Sequence, residues 1–179
     1  MWYNHNKGRI KIICKELELM QVSIYSREAI EQLLKEQFPN NTAVISFYDP
    51  PSKRTGKIFS PVDYKNIPNR VFTVPIYDID LEILEDYGLT FESYFPEVNE
   101  LADFIHKAVA DGMDLICQCE YGQSRSAACA AAILEFYDKN GISIFADYRY
   151  YPNQLVYNKV KDALEKGYAG EIKNSDRGI

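Results

Sequence analysis

Histidine is the scarcest functional side chain in this sequence: there are two, His5 and His106. Neither lies near the four cysteines, Cys14, Cys117, Cys119 and Cys129, so the spacings that build zinc sites are missing and no metal or cofactor is expected. Basic charge is also short. Twenty Lys and Arg face 26 Asp and Glu, for a net charge of −6 and a pI near 5.0. That balance argues against a nucleic-acid partner or an anionic membrane surface. Long apolar runs are absent too. Met1 to Met20 holds no hydrophobic core of the kind a signal peptide needs, and no later segment is apolar enough to span a bilayer. The expectation is a cytoplasmic protein. Cys117 and Cys119 alternate onto one face of a strand at a separation near the upper limit for a disulfide, so reduced thiols are the better reading. No internal repeat and no low-complexity linker interrupts the chain.

What is present is ordinary for a globular protein: 46% hydrophobic and 26% charged residues over 179 positions. This length predicts a single domain over residues 1–170, followed by a polar tail at 171–179. The most informative stretch begins with Asp114-Leu115-Ile116-Cys117-Gln118, an apolar run that reads as a buried strand. It ends with Ala127-Ala128-Cys129-Ala130-Ala131-Ala132-Ile133-Leu134, rich in the best helix former. Between them Cys119-Glu120-Tyr121-Gly122-Gln123-Ser124-Arg125-Ser126 must turn from a strand end into a helix N-terminus. Unpaired N–H groups and the helix dipole make that a place for an anion. Cys119 stands where the helix terminus and a guanidinium both favour a thiolate. Arg125 can fork two N–H donors onto one phosphate. Gly122 lets the backbone turn and approach closely, inward N–H groups from Glu120 to Arg125 would form an anion nest, and Ser126 can give its hydroxyl to the sulfur. The segment is a phosphate cradle with a nucleophile at its floor.

The pattern Cys-x-x-Gly-x-Ser-Arg-Ser between strand and helix resembles the active-site loop of the cysteine-dependent phosphatases, above all the dual-specificity branch. The resemblance spans about Val44 to Leu164 and is weak over residues 1–40. One position departs from the family: Gln118 stands where its members usually carry histidine. The resemblance implies a twisted four- or five-stranded sheet with helices on both faces, a metal-free phosphatase acting on a phosphoprotein or phosphopeptide, and a monomer.

The rest of the chain agrees with such a fold. Leu17–Ile24, Thr42–Tyr48 and Val71–Ile76 read as strands, the last limited by Pro75. Ser26 reads as the N-cap of an amphipathic helix that Pro39 stops. Residues 53–69 read as a loop and Asp80–Gly88 as an acidic segment with a short helix. Apolar residues from Phe91 to Val109 recur at helical spacing, predicting a helix over Thr90–Gly112. Asn140-Gly141 reads as the stop of the alanine-rich helix. Asp147–Pro152 reads as an aromatic loop, and Asn153 as the cap of a last helix closed by Gly167. Strands alternating with helices predict an α/β sandwich of three layers with a mostly parallel sheet and its ligand at the strand carboxyl ends.

Thiolate attack on phosphorus needs a carboxylic acid on the far side to protonate the leaving oxygen. The upstream candidates are Asp78, Asp80, Glu82 and Asp86. Val74-Pro75-Ile76-Tyr77-Asp78 is similar to the family's strand-end segment that carries this acid, which favours Asp78 and leaves Asp80 second. The segment lies farther from Cys119 than is usual for the branch, and an insertion across Leu81–Ser93 would explain the distance. Polyanionic substrates such as phosphoinositides call for lysines around the loop, and none of its variable positions is basic. A phosphate-binding module without turnover is the reading from another class, and a rhodanese-like transferase is a distant third. Tyr121 reads as a rim residue or a plain surface tyrosine, Ser124 as a loop-tuning residue or a helix cap. Arg149, Tyr150 and Tyr151 read as a cleft wall or an aromatic patch, His106 as a satisfied histidine, and Cys117 and Cys129 as core.

Overall fold

The computed structural model describes residues 9–11, 20–51, 56 and 58–175. Strand β1 (Arg9–Lys11) is followed by β2 (Gln21–Ser26), α1 (Arg27–Lys35), β3 (Thr42–Tyr48) and β4 (Arg70–Pro75). Then come α2 (Val98–Ala110), β5 (Asp114–Cys119), α3 (Arg125–Asp138), α4 (Ile142–Phe145) and α5 (Gln154–Ser175). The five strands form one sheet in the order β1-β2-β5-β3-β4. β2, β5, β3 and β4 run parallel, and β1 joins the edge antiparallel to β2. This is the expected α/β sandwich.

β5 lies in the middle, so it is buried on both faces, and its side chains divide by alternation. Leu115, Cys117 and Cys119 enter the larger core with Ala43, Ile45 and Phe47 of β3 and the inner faces of α2, α3 and α5. Ile116 and Val44 point the other way, against Ile30 and Leu33 of α1 and Val62 and Tyr64. α3 is buried over every residue from Arg125 to Leu134. Its small side chains let the helix lie flush on the sheet, which fixes the orientation of its N-terminus.

Several boundaries differ from the expected ones. The first described strand after β1 is Gln21–Ser26, displaced toward the helix it feeds; Leu17 to Leu19 lie outside the described residues, as do Cys14 and residues 1–8. Ser26 caps α1 as expected, accepting from Ala29 N–H at 3.1 Å. Pro75 closes β4 at the sheet edge, where a missing N–H costs no ladder bond. The helix expected over Thr90–Gly112 is only Val98–Ala110, because Phe91 to Pro96 form turns held by Thr90 and Ser93. The acidic stretch becomes two 3-10 turns, Leu81–Ile83 and Glu85–Tyr87, ended by Gly88 at φ +67°. The alanine helix stops at Lys139, which takes the left-handed conformation itself (φ 55°), rather than at Asn140-Gly141. Gly141 serves another need: a Cβ there would sit 2.6 Å from the Ala131 carbonyl oxygen. Gly167 does not end α5, which runs on to Ser175; it gives room for His106, 3.3 Å from where a Cβ would lie. Residues 176–179 of the expected tail lie outside the described residues.

Candidate active site

The loop from Cys119 to Arg125 is held by main-chain bonds on two sides. Glu120 carbonyl accepts from Arg27 N–H at 3.0 Å, and Gln123 carbonyl accepts from Tyr151 N–H at 2.9 Å. Its turn rests on Gly122, at φ +69°, whose absent Cβ would fall 2.6 Å from the Ser26 nitrogen. Only glycine fits both the backbone angle and the approach to the β2–α1 junction. At the floor, Cys119 is 2% exposed and its Sγ lies 3.0 Å from Ser126 Oγ.

Arg125 opens α3 and is 3% exposed. Its Nη1 donates to Asp49 Oδ1 at 2.7 Å and to the Ile76 carbonyl at 2.6 Å. Its Nε is buried with no hydrogen-bond partner, 3.8 Å from Asp78 Oδ2. A buried unpaired donor on a cation is costly, and here it lies beside the cradle where an anion would satisfy it. Asp49 was missed from the sequence, where Asp49-Pro50-Pro51 reads only as the end of β3. The available signal was an acid at the carboxyl end of the strand beside β5.

Asp78 follows β4 and reaches the loop from the opposite side. Its Oδ1 accepts from Ser124 Oγ at 2.6 Å and from Asn153 Nδ2 at 3.0 Å. Ser124 occupies the N-cap position of α3 but makes no side-chain cap bond, because its hydroxyl goes to Asp78. Asn153 caps α5 through Val156 N–H at 3.0 Å while its Nδ2 also reaches the Ile79 carbonyl. Its cap role was legible and its bond to Asp78 was not. Asp80 and Glu82 line the same cleft as Asp78; Asp86 is exposed on the second 3-10 turn and does not line it. The cleft has a volume of about 780 Å³, and Tyr150 and Tyr151 form part of its wall. Arg149 does not line it and pairs with Asp147. Tyr121 is 78% exposed on the loop, and the Glu120 carboxylate stands 3.8 Å from Arg27.

Gln118 projects to the other face of the sheet. Its Oε1 accepts from Ser46 Oγ at 2.6 Å and from the Tyr64 hydroxyl at 3.2 Å. Burial pushes the Tyr64 phenol up to about 12. His106 sits between the Tyr137 hydroxyl and the Leu164 carbonyl, a packed histidine far from the loop. Cys117, Cys119 and Cys129 are free thiols, and the hydrogen bond to Cys129, with burial, raises the Cys117 thiol. Among the described residues, no three His, Cys, Asp or Glu side chains gather as metal ligands, and no helix is long and apolar enough to cross a membrane.

Neither a family model nor a curated protein matches the sequence. Solved structures do match in three dimensions. PTPMT1 in complex with PI(5)P superposes with a TM-score of 0.50 at 13% identity, covering 85% of this chain and 94% of that one. The fold is dual-specificity phosphatase-like. The human tyrosine phosphatase-like serine/threonine/tyrosine-interacting protein aligns over 84% of this chain and 93% of its own, at 16% identity and a TM-score of 0.49. The Cydia pomonella PTP-2 phosphatase aligns over 85% and 88%, at 14% and 0.47. At such identities the likeness establishes architecture, and chemistry has to be argued from the loop.

Proposed function

We propose that this protein is a metal-independent phosphoric monoester hydrolase acting on phosphotyrosine, with phosphoserine and phosphothreonine as further substrates, through a cysteinyl-phosphate. The observation that carries the reading is the pairing of Cys119 Sγ, hydrogen-bonded to Ser126 at the loop floor, with a buried Arg125 whose Nε has no partner. In the first step Sγ attacks phosphorus, the bond to the leaving oxygen breaks, and Asp78 gives that oxygen its proton. In the second, water attacks the phosphocysteine, Asp78 takes a proton from it, and the thiolate leaves with Ser126 donating to the sulfur. Arg125 and the N–H groups from Glu120 to Ser124 hold the phosphoryl oxygens throughout. Asp80 lines the same cleft and is the second candidate for the acid. Among the described residues the lining carries Asp78, Asp80 and Glu82 and no Lys or Arg, which counts against polyphosphorylated substrates. We place the protein in the reducing cytoplasm, in keeping with the free thiols of Cys117, Cys119 and Cys129 among the described residues, and as a monomer.

The experiment is phosphate release from a phosphopeptide panel in the presence of a strong chelator. Release that survives the chelator, is blocked by vanadate and vanishes in Cys119→Ser is expected, while Cys119→Ser still binds phosphopeptide. Dependence on added metal, or full activity in Cys119→Ser or Arg125→Lys, would overturn the mechanism.

A further inference from the structure

The cleft beside the phosphate cradle has two kinds of surface. Asp78, Asp80 and Glu82 supply negative charge, and Tyr150 and Tyr151 supply ring faces. Of the three carboxylates, Asp78 is occupied by Ser124 and Asn153 and lies beside Arg125. Asp80 is exposed at the N-terminus of a 3-10 turn and makes no cap bond, and Glu82 is exposed on that turn. Tyr151 is 71% exposed, and its own N–H is tied to the loop at Gln123, which fixes the ring's place relative to the cradle. Tyr150 already carries a guanidinium, that of Arg149, 5.3 Å from its ring centre. The buried Arg125 Nε, which has no hydrogen-bond partner, lies 3.8 Å from the Asp78 carboxylate that lines this cleft. An anion is thus called for on one side of Asp78, and a cation on the other.

Resting on the phosphatase reading, we infer that the preferred substrate is a phosphopeptide with Arg or Lys flanking the phosphorylated residue, its cationic side chain seated by Asp80, Glu82 and the exposed Tyr151 ring. The phosphate is held by Arg125 and the loop N–H groups, and the neighbouring side chain meets carboxylates and a ring face that attract a guanidinium or ammonium. The same cleft disfavours acidic flanks, since a carboxylate there faces Asp80 and Glu82, and among the described residues no Lys or Arg lines the wall, the nearby Arg149 being paired with Asp147. A net charge of −6 adds steering in the same direction. Exposed ion pairs and a cation–ring contact each contribute modestly, and together they amount to about tenfold in kcat/KM between a basic and an acidic flank.

The test compares phosphotyrosine peptides that differ only in carrying Arg or Glu at each flanking position, with an uncharged aryl phosphate as reference. The Arg peptide should lead at one or more positions, and the lead should shrink as salt is raised, because screening is far stronger at high ionic strength. Asp80→Asn with Glu82→Gln should bring the two peptides together, and Glu82→Lys should turn the preference toward Glu. Equal or faster turnover of the Glu peptide by the wild type overturns this inference, as does a preference that Glu82→Lys leaves untouched. Faster hydrolysis of a soluble phosphoinositide headgroup than of every peptide overturns it too. If the aryl phosphate itself is not hydrolysed, the phosphatase reading has failed and this one falls with it; if it is hydrolysed without any peptide preference, this inference alone has failed.

Discussion

On the proposed mechanism, Arg125 spends one end of its guanidinium on the protein and keeps the rest for phosphate. Nη1 is shared between Asp49 and the Ile76 carbonyl, and Nε waits. Removing Asp49 should therefore disturb phosphate capture more than folding, because Asp49 is itself a third exposed. Asp49→Asn is expected to lower kcat/KM and vanadate affinity about tenfold, the scale of one charge-assisted bond, with a thermal midpoint near that of the wild type. Asp49→Glu should recover part of the loss, which a purely structural role would not predict. Asp78 can be separated from Asp80 by leaving-group chemistry. Asp78→Asn should slow alkyl phosphates by about 10²–10⁴ and spare aryl phosphates with good leaving groups. If Asp80→Asn gives that pattern instead, the acid is two residues farther along.

At the scale of elements, the strand–loop–helix unit depends on one position with no side chain. Gly122→Ala would press a methyl against the Ser26 backbone and force an unfavourable left-handed angle, so a loss of about 2 kcal/mol or more, together with activity, is expected. Gly112 is the control. It has nearly the same φ, +67°, but open space, so Gly112→Ala should cost about 1 kcal/mol and leave turnover intact. Thermal melts and initial rates on the two variants check both statements. This unit was legible because all its signals are local: an apolar run, a glycine turn and an alanine run adjacent in sequence. The partners that finish the site were not, since Asp49 meets Arg125 across 76 positions and Asn153 meets Asp78 across 75. Nothing in a short window distinguishes those residues from a strand end and a helix cap. Periodicity also overreached: Phe91 and Phe95 keep helical spacing with α2, yet Pro96 forbids a continuous helix, and Phe95 is buried from the irregular segment while Phe91 is exposed.

On the scale of the whole molecule, the sheet divides the chain into a front layer that carries the candidate site and a rear layer fastened by a small polar network. Tyr64 and Ser46 both donate to Gln118 on that rear face. Burial holds the Tyr64 phenol neutral up to about 12, against 10.0 for a free side chain, and it raises Tyr94 as well. Above pH 10 the unfolded chain releases those protons while the folded one keeps them, so stability falls as pH rises from 10 to 12. Thermal midpoints measured across that range should drop, and Tyr64→Phe should flatten the slope.

Gln118 has a second consequence, for how the protein behaves when its surroundings acidify. An imidazole in that position could gain a charge between about pH 5 and 8, but an amide has no proton to gain. The residue preceding the proposed nucleophile therefore gives the same hydrogen bonds in a mildly acidic medium as in a neutral one. His106, bound to Tyr137 and Leu164, is remote from the loop. Gln118→His should introduce an ionisation into the pH–rate profile of an aryl phosphate over that window, one that the wild-type profile lacks. The substitution exchanges constancy for responsiveness at the residue next to Cys119, on the opposite face of the sheet.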